Sequence, residues 1–148
     1  MDFRFFNNNV RCGVRAAELI MRDDYIYLVY ANQKYATLGG AALVNETTQE
    51  AVVREVFEEL HARVEVNQLA FVVENFFTEE NIQYHNLEYY YFVTLLDEPA
   101  KYVLDEDAHF PCEWVHVSEL KNLDLRPRFL KEKLVDWKGI EHIIVNDR

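Results

Sequence analysis

The stretch that most constrains this chain is Thr47-Thr48-Gln49-Glu50-Ala51-Val52-Val53-Arg54-Glu55-Val56-Phe57-Glu58-Glu59-Leu60-His61. Thr47 and Thr48 are N-cap residue types, and Glu50 stands three residues after Thr47, where a capping box places its acid. Val53, Val56, Phe57 and Leu60 recur at i, i+3, i+4 and i+7, one apolar stripe of an amphipathic helix. The pattern predicts a helix over 48–61. At about 100° per residue with Val53 at zero, Glu55, Glu58 and Glu59 fall at roughly 200°, 140° and 240°. The stripe faces the core and three carboxylates gather on the other side.

Such a cluster is unfavourable alone. Two like charges about 6 Å apart repel by roughly 0.7 kcal/mol in water and by about 3 kcal/mol at an effective dielectric of about 20. The i, i+4 pair Glu55 and Glu59 also opposes the helix, and Arg54 offsets only part of the repulsion. A divalent cation would offset all of it, and carboxylate oxygens suit Mg2+ or Mn2+. Three glutamates alone read as readily as a solvated acidic face.

The flanking segments read mostly as strands. Arg4–Phe6 and Val10–Met21 are strand candidates, and Tyr25–Tyr30 is dense in β-branched and aromatic residues, with Arg22-Asp23-Asp24 as a polar turn before it. Thr37–Val44 reads as a short strand and loop around Gly39-Gly40. After the helix come strands at about 64–77 and 87–96, with a polar loop over Asn81–Asn86, and a further strand over Cys112–Val117. Arg126–Trp137 opens on Arg-Pro and reads as a second helix, and Ile140–Val145 as a last strand. The expected fold is α/β (α+β), a mixed sheet between helices. With no repeat and no linker among 4 Gly and 3 Pro, residues 1–148 form one expected domain.

Half of the 148 residues are apolar, enough for a sizeable core, and the formal net charge of −11 repels a nucleic acid polymer over most of the surface. An anionic small molecule stays compatible if a bound cation screens it. No apolar run approaches the roughly 20 residues a membrane span needs. The first residues, Met1-Asp2-Phe3-Arg4-Phe5-Phe6, lack an apolar signal core, so a cytoplasmic protein is expected. Cys12 and Cys112 have no metal-like spacing and read as small hydrophobes.

Gly40 is followed by Glu46, then by Arg54-Glu55-Val56-Phe57-Glu58-Glu59. This spacing resembles the signature of the Nudix hydrolases (MutT-like), G-x5-E-x7-R-E-U-x-E-E-x-G-U with U a bulky aliphatic. Two positions depart from it: His61 replaces the glycine that ends the helix in a left-handed conformation, and Ala62 replaces the last aliphatic residue. The segment Ala41-Ala42-Leu43-Val44-Asn45 also lacks the acid and glycine often found there. Outside residues 40–62 the likeness is looser: Arg15–Ile20 with Tyr25–Val29 resemble the family's opening strands, Glu113–Val115 its late strand, and Phe129–Leu134 its C-terminal helix.

The resemblance implies the Nudix α/β/α sandwich and divalent-metal-dependent hydrolysis of a nucleoside diphosphate linked to another moiety, such as ADP-ribose, a nucleoside triphosphate or a nucleotide sugar. Carried over by position, Glu55, Glu58 and Glu59 would hold Mg2+ or Mn2+ together with the Gly40 carbonyl. Glu58 and Glu59 would share the catalytic role with Arg54, which would hold the glutamates by ion pairing with Glu46. The general base varies in the family; Glu106, with Asp105 and Asp107 beside it, and Glu88, near His85, are candidates. Arg15 and Lys34 could meet phosphate, and Phe6, Phe77 and Tyr84 could stack on a base, although each also reads as an ordinary surface or core residue. His85, His109, His116 and His142 show no ligand spacing. Homodimers are common in the family, which leaves one open here. The alternative reading is a non-catalytic Nudix-fold module that binds nucleotides and regulates; the full set of charged positions favours the enzyme.

Overall fold

A computed structural model describes residues 1–105 and 108–148. In chain order the elements are β1 (Arg4–Asn7), β2 (Val10–Arg22), β3 (Tyr25–Ala31), β4 (Lys34–Ala36), β5 (Leu38–Ala41), α1 (Thr48–Leu60), β6 (Val64–Glu79), β7 (Ile82–Leu95), β8 (Tyr102–Asp105), β9 (Ala108–His116), a 3-10 turn (Val117–Asn122), β10 (Leu125–Arg126), α2 (Leu130–Lys133) and β11 (Glu141–Asp147). The sheet is mixed, in the order β10-β4-β3-β2-β7-β6-β11, with β1 and β5 also on β2 and the β8–β9 hairpin on β3. The long strands β2 and β7 run parallel, as do β6 and β11, whereas β6 and β7 form an antiparallel hairpin.

Successive β2 side chains point to opposite faces. Ala16 and Ile20 join Val52, Val56 and Leu60 of α1 in one core, while Ala17 and Leu19 join Leu120, Leu125, Leu130 and Leu134 in the other. The sheet therefore lies between α1 and a second layer made of the 3-10 turn and α2, the expected α+β arrangement. Burial of Val52, Val56 and Leu60 contributes roughly 1.5–3 kcal/mol each and fixes α1 on the sheet.

Three expectations require correction. The segment read as a polar loop, Asn81–Asn86, mostly belongs to β7; the reversal is the two-residue turn Glu80-Asn81, with φ of 50° and 66°. Left-handed dihedrals at both turn residues suit the twist of a tight hairpin, and polar side chains are tolerated where the ribbon is solvated. The helix expected over Arg126–Trp137 shrinks to the single turn Leu130–Lys133. Only Leu130 and Leu134 are buried there, and no side chain caps its start, too little to propagate a helix.

The third correction concerns the phase of α1. Val53 and Phe57 are 41% and 56% exposed, whereas Ala51, Val52, Val56 and Leu60 are buried. With Val52 at zero and about 100° per residue, the buried arc runs from Ala51 near 260° to Leu60 near 80°, and Glu55 and Glu59 fall inside it at about 300° and 340°. These glutamates do not oppose the core; they lie on its flank. Apolar character alone set the stripe one position too far along.

Candidate active site

The loop from Ala42 to Thr47 and the first turns of α1 form one hydrogen-bonded unit. Thr47 Oγ1 accepts from the Glu50 backbone N–H, and Glu50 Oε2 accepts from the Thr47 N–H, both at 3.1 Å. This reciprocal pair is the capping box anticipated from the sequence. At the other end His61 takes the left-handed conformation, φ 54° and ψ 34°, and donates its N–H to the Phe57 carbonyl. The helix thus ends as the glycine-bearing signature would end it, with the steric strain of a side chain at that position.

Arg54 is the hub. Its Nε and Nη2 donate to Glu46 Oε2 and Oε1 at 2.7 and 3.0 Å. Nη2 also donates to the Ala41 carbonyl oxygen at 3.1 Å, and Nη1 donates to Glu55 Oε1 at 2.9 Å and Glu58 Oε2 at 3.2 Å. Glu46 Oε1 accepts a further bond from the Leu43 N–H. One guanidinium fork thereby ties the end of β5 and Glu46 of the loop after it to Glu55 and Glu58 of α1. Its hydrogen bonds hold the Glu46 carboxyl below the usual carboxylate range.

Glu59 is in the opposite situation. Its Oε1 is buried with no hydrogen-bond partner. Burial first, and then the neighbouring Glu55, push its pKa up to about 8, against the opposing charge of Arg15. Glu55 is largely buried and Glu58 largely exposed. Gly40, paired with Ala16 of β2, gives Glu55 its room: a Cβ there would stand 2.5 Å from Glu55 Oε1.

A cavity of about 390 Å³ opens beside Glu55 and Glu59, between Gly39 of β5 and Val103 and Phe110 of the β8–β9 hairpin. A larger one of about 700 Å³ lies across β5, sharing Thr37, Leu38 and Gly39 with the first, and is lined by Arg15, Asn75, Glu88, Arg126, Arg128 and Phe129. Glu88 stands opposite Arg15 in the β2–β7 ladder and accepts hydrogen bonds from Asn75 Nδ2 and the Tyr90 hydroxyl.

The donor set fits a hard divalent cation: it is all oxygen, Glu59 Oε1 has no partner, and the space at Gly40 is the space a side chain would fill. Among the described residues no three acidic, histidine or cysteine side chains already converge on one point, because Glu55 and Glu58 turn toward Arg54.

The structure brings Gly40, Glu46, Arg54, Glu55, Glu58 and Glu59 together, with Arg15 and Glu88 in the adjoining cleft. Lys34, in β4, is exposed and lines neither cavity. Glu106 and Asp107 lie outside the described residues. Phe77 stacks on Tyr84 with ring centroids 4.5 Å apart, and the Arg11 guanidinium lies 4.5 Å from the Phe6 ring centroid. His85 stacks on Phe76, away from Glu88, and His142 pairs with Glu74. Cys12 and Cys112 are free. Sequence reasoning missed Arg126, Arg128 and Asn75, which only the tertiary fold brings to the cleft. It also missed Glu18, a lone acid inside the apolar run Ala16–Met21, which the same alternation flags as pointing toward α1.

No helix among the described residues is long and apolar enough to cross a membrane. The NUDIX domain model matches residues 14–137. No curated protein matches the chain. Among solved structures, a MutT NUDIX hydrolase from Burkholderia pseudomallei is 25% identical with a TM-score of 0.59, over 72% of this chain and 84% of that one. A mutator MutT protein from Bacillus halodurans is 15% identical with a TM-score of 0.70, over 87% and 88%. An ADP-ribose pyrophosphatase from Streptococcus suis is 17% identical with a TM-score of 0.61, over 88% and 97%. With the family model spanning most of its length and the glutamate helix in place, this chain belongs to the NUDIX family of diphosphate hydrolases.

Proposed function

We propose that the chain, acting as one domain over residues 1–148, hydrolyses a diphosphate bond in a nucleoside diphosphate linked to another moiety, with Mg2+ or Mn2+ as cofactor. The observation that carries this reading is that the cavity beside the Arg54-bound glutamate cluster shares Thr37, Leu38 and Gly39 with a cleft holding Arg15, Arg126 and Arg128. Glu55, Glu58 and Glu59, with the Gly40 carbonyl, would hold the cation. Bound there, it would neutralise diphosphate oxygens and lower the pKa of an attacking water.

The chain's own residues divide the remaining work. Arg54 and Glu46 position the ligating carboxylates and keep the loop after β5 in register with α1. Arg15, Arg126 and Arg128 supply cationic donors for phosphate oxygens, for which the guanidinium fork is well shaped. Asn75 offers an amide, both donor and acceptor, for hydroxyls on the non-reacting part of the substrate. A cleft with both kinds of group suits ADP-ribose-like compounds and nucleotide sugars, with nucleoside triphosphates as the further class. For the general base, Glu106 and Glu88 remain our candidates.

The test is release of nucleoside monophosphate or phosphate from a panel of these three classes, with and without Mg2+ or Mn2+. Metal-dependent turnover of one class is expected. Nucleotide binding with no turnover on any member, at saturating metal, would overturn the proposal and leave a binding module.

A further inference from the structure

Beyond the box glutamates, Glu18 is a further acid held inside the fold. It lies on β2 opposite Leu38 of β5, in the strand that carries Ala16 and Ile20 into the core beneath α1. By that alternation its side chain enters the same layer. It is fully buried, and neither carboxylate oxygen has a hydrogen-bond partner. The charges acting on it are those of Glu59 and Glu55, with Arg15 in opposition. Glu59, whose charge acts on Glu18, likewise has a buried, partnerless Oε1.

A buried carboxyl group without any partner is a costly residue in an otherwise apolar strand. Met or Leu would fill the place without that penalty. The orphaned oxygens of Glu18 and Glu59 on the underside of α1 make sense together if a cation satisfies both. We propose that Glu18 is an additional ligand of the divalent-cation centre, closing it from β2, whereas the box supplies its ligands from α1 and from Gly40 of β5. The inference rests on the reading that the box glutamates hold a cation. It extends the donor set by a residue outside residues 40–62, and its class of ligand is a hard, oxygen-preferring ion such as Mg2+ or Mn2+.

The experiment measures Mn2+ binding to the full chain without nucleotide, by calorimetry and by loss of the free-ion paramagnetic signal, alongside the melting temperature with and without Mn2+. Glu18→Gln keeps the shape and removes the charge; Glu18→Met removes the polar group and secures the result if the amide folds poorly. For both variants Mn2+ affinity is expected to fall about tenfold or more, the scale on which groups supporting a metal are felt. The metal-free melting temperature is expected to rise and the Mn2+-induced increment to shrink. Glu59→Gln is the control. If Glu59→Gln weakens Mn2+ binding while both Glu18 variants bind within twofold of the parent, the assignment of Glu18 is overturned and the box reading stands. If none of the three changes affinity, the cation reading itself falls, and the inference with it.

Discussion

Glu59→Gln should make the metal-free protein more stable at alkaline pH while removing a group that we assign to the metal. Burial and Glu55 raise the Glu59 pKa from 4.5 to about 8 in the folded state. Below about pH 4.5 the carboxyl is protonated in both folded and unfolded chains and has no pH-dependent effect. Between about 4.5 and 8 the folded chain holds a proton that the unfolded chain has released, so stability falls as pH rises. At about 1.36 kcal/mol per unit, the full shift sets a ceiling of roughly 5 kcal/mol. Glu59 is partly exposed and can relax toward Arg15, so we expect about 2 kcal/mol at pH 8.5. The amide does not titrate. Urea midpoints in chelator at pH 5, 7 and 8.5 should therefore nearly coincide for parent and variant at pH 5 and separate at pH 8.5, the variant being the more stable. Adding Mn2+ at pH 8.5 should stabilise the parent and leave the variant nearly unchanged. Parallel pH profiles for the two proteins would refute the argument, because they would mean that Glu59 is not held protonated by its surroundings.

Three further outcomes follow from the geometry. His61→Gly relieves a side chain at φ 54° and should stabilise the fold by about 0.5–1 kcal/mol after the entropy of the unfolded glycine is subtracted; a lower midpoint would show that the imidazole contributes contacts outweighing the strain. Gly40→Ala places a Cβ against the Glu55 carboxylate, the flexible end of a side chain, so stability should change by less than about 1 kcal/mol while Mn2+ affinity falls about tenfold; calorimetry on the variant checks both. Arg54→Lys loses the fork that grips Glu46 by two bonds, with a stability loss of about 2 kcal/mol expected and with turnover falling more than substrate affinity; unchanged kcat would remove Arg54 from its positioning role.

Much of the site was legible because its signals are local. The Thr47–Glu50 box, the spacing from Gly40 to Glu59 and the left-handed cap at His61 depend on neighbours a few residues away, and the structure places them as the spacing implied. The buried arc of α1 was misread because Val53 and Phe57 are as apolar as Val52 and Val56; only the sheet beneath decides which of them it covers. That shift turns Glu55 and Glu59 from surface acids into partly desolvated ones. The reach of β7 past Asn86 was hidden by polar residues on a solvated ribbon. Arg126 and Arg128 were out of reach for another reason. They follow the 3-10 turn, which brings them beside Arg15, more than a hundred positions earlier, and no periodicity records such a meeting.

The parallel ladder between β2 and β7 has a consequence for how the site comes into being. Its pairs join residues such as Val10 with Gln83 and Ile20 with Val93, so the strand beneath the glutamate helix lacks its central neighbour until most of the chain exists. Local signals can start α1 early, yet the floor that desolvates Glu59 depends on a closure spanning about half of the sequence, a kind of contact that slows folding. The segment most recognisable in the sequence is therefore among the last to acquire its chemistry.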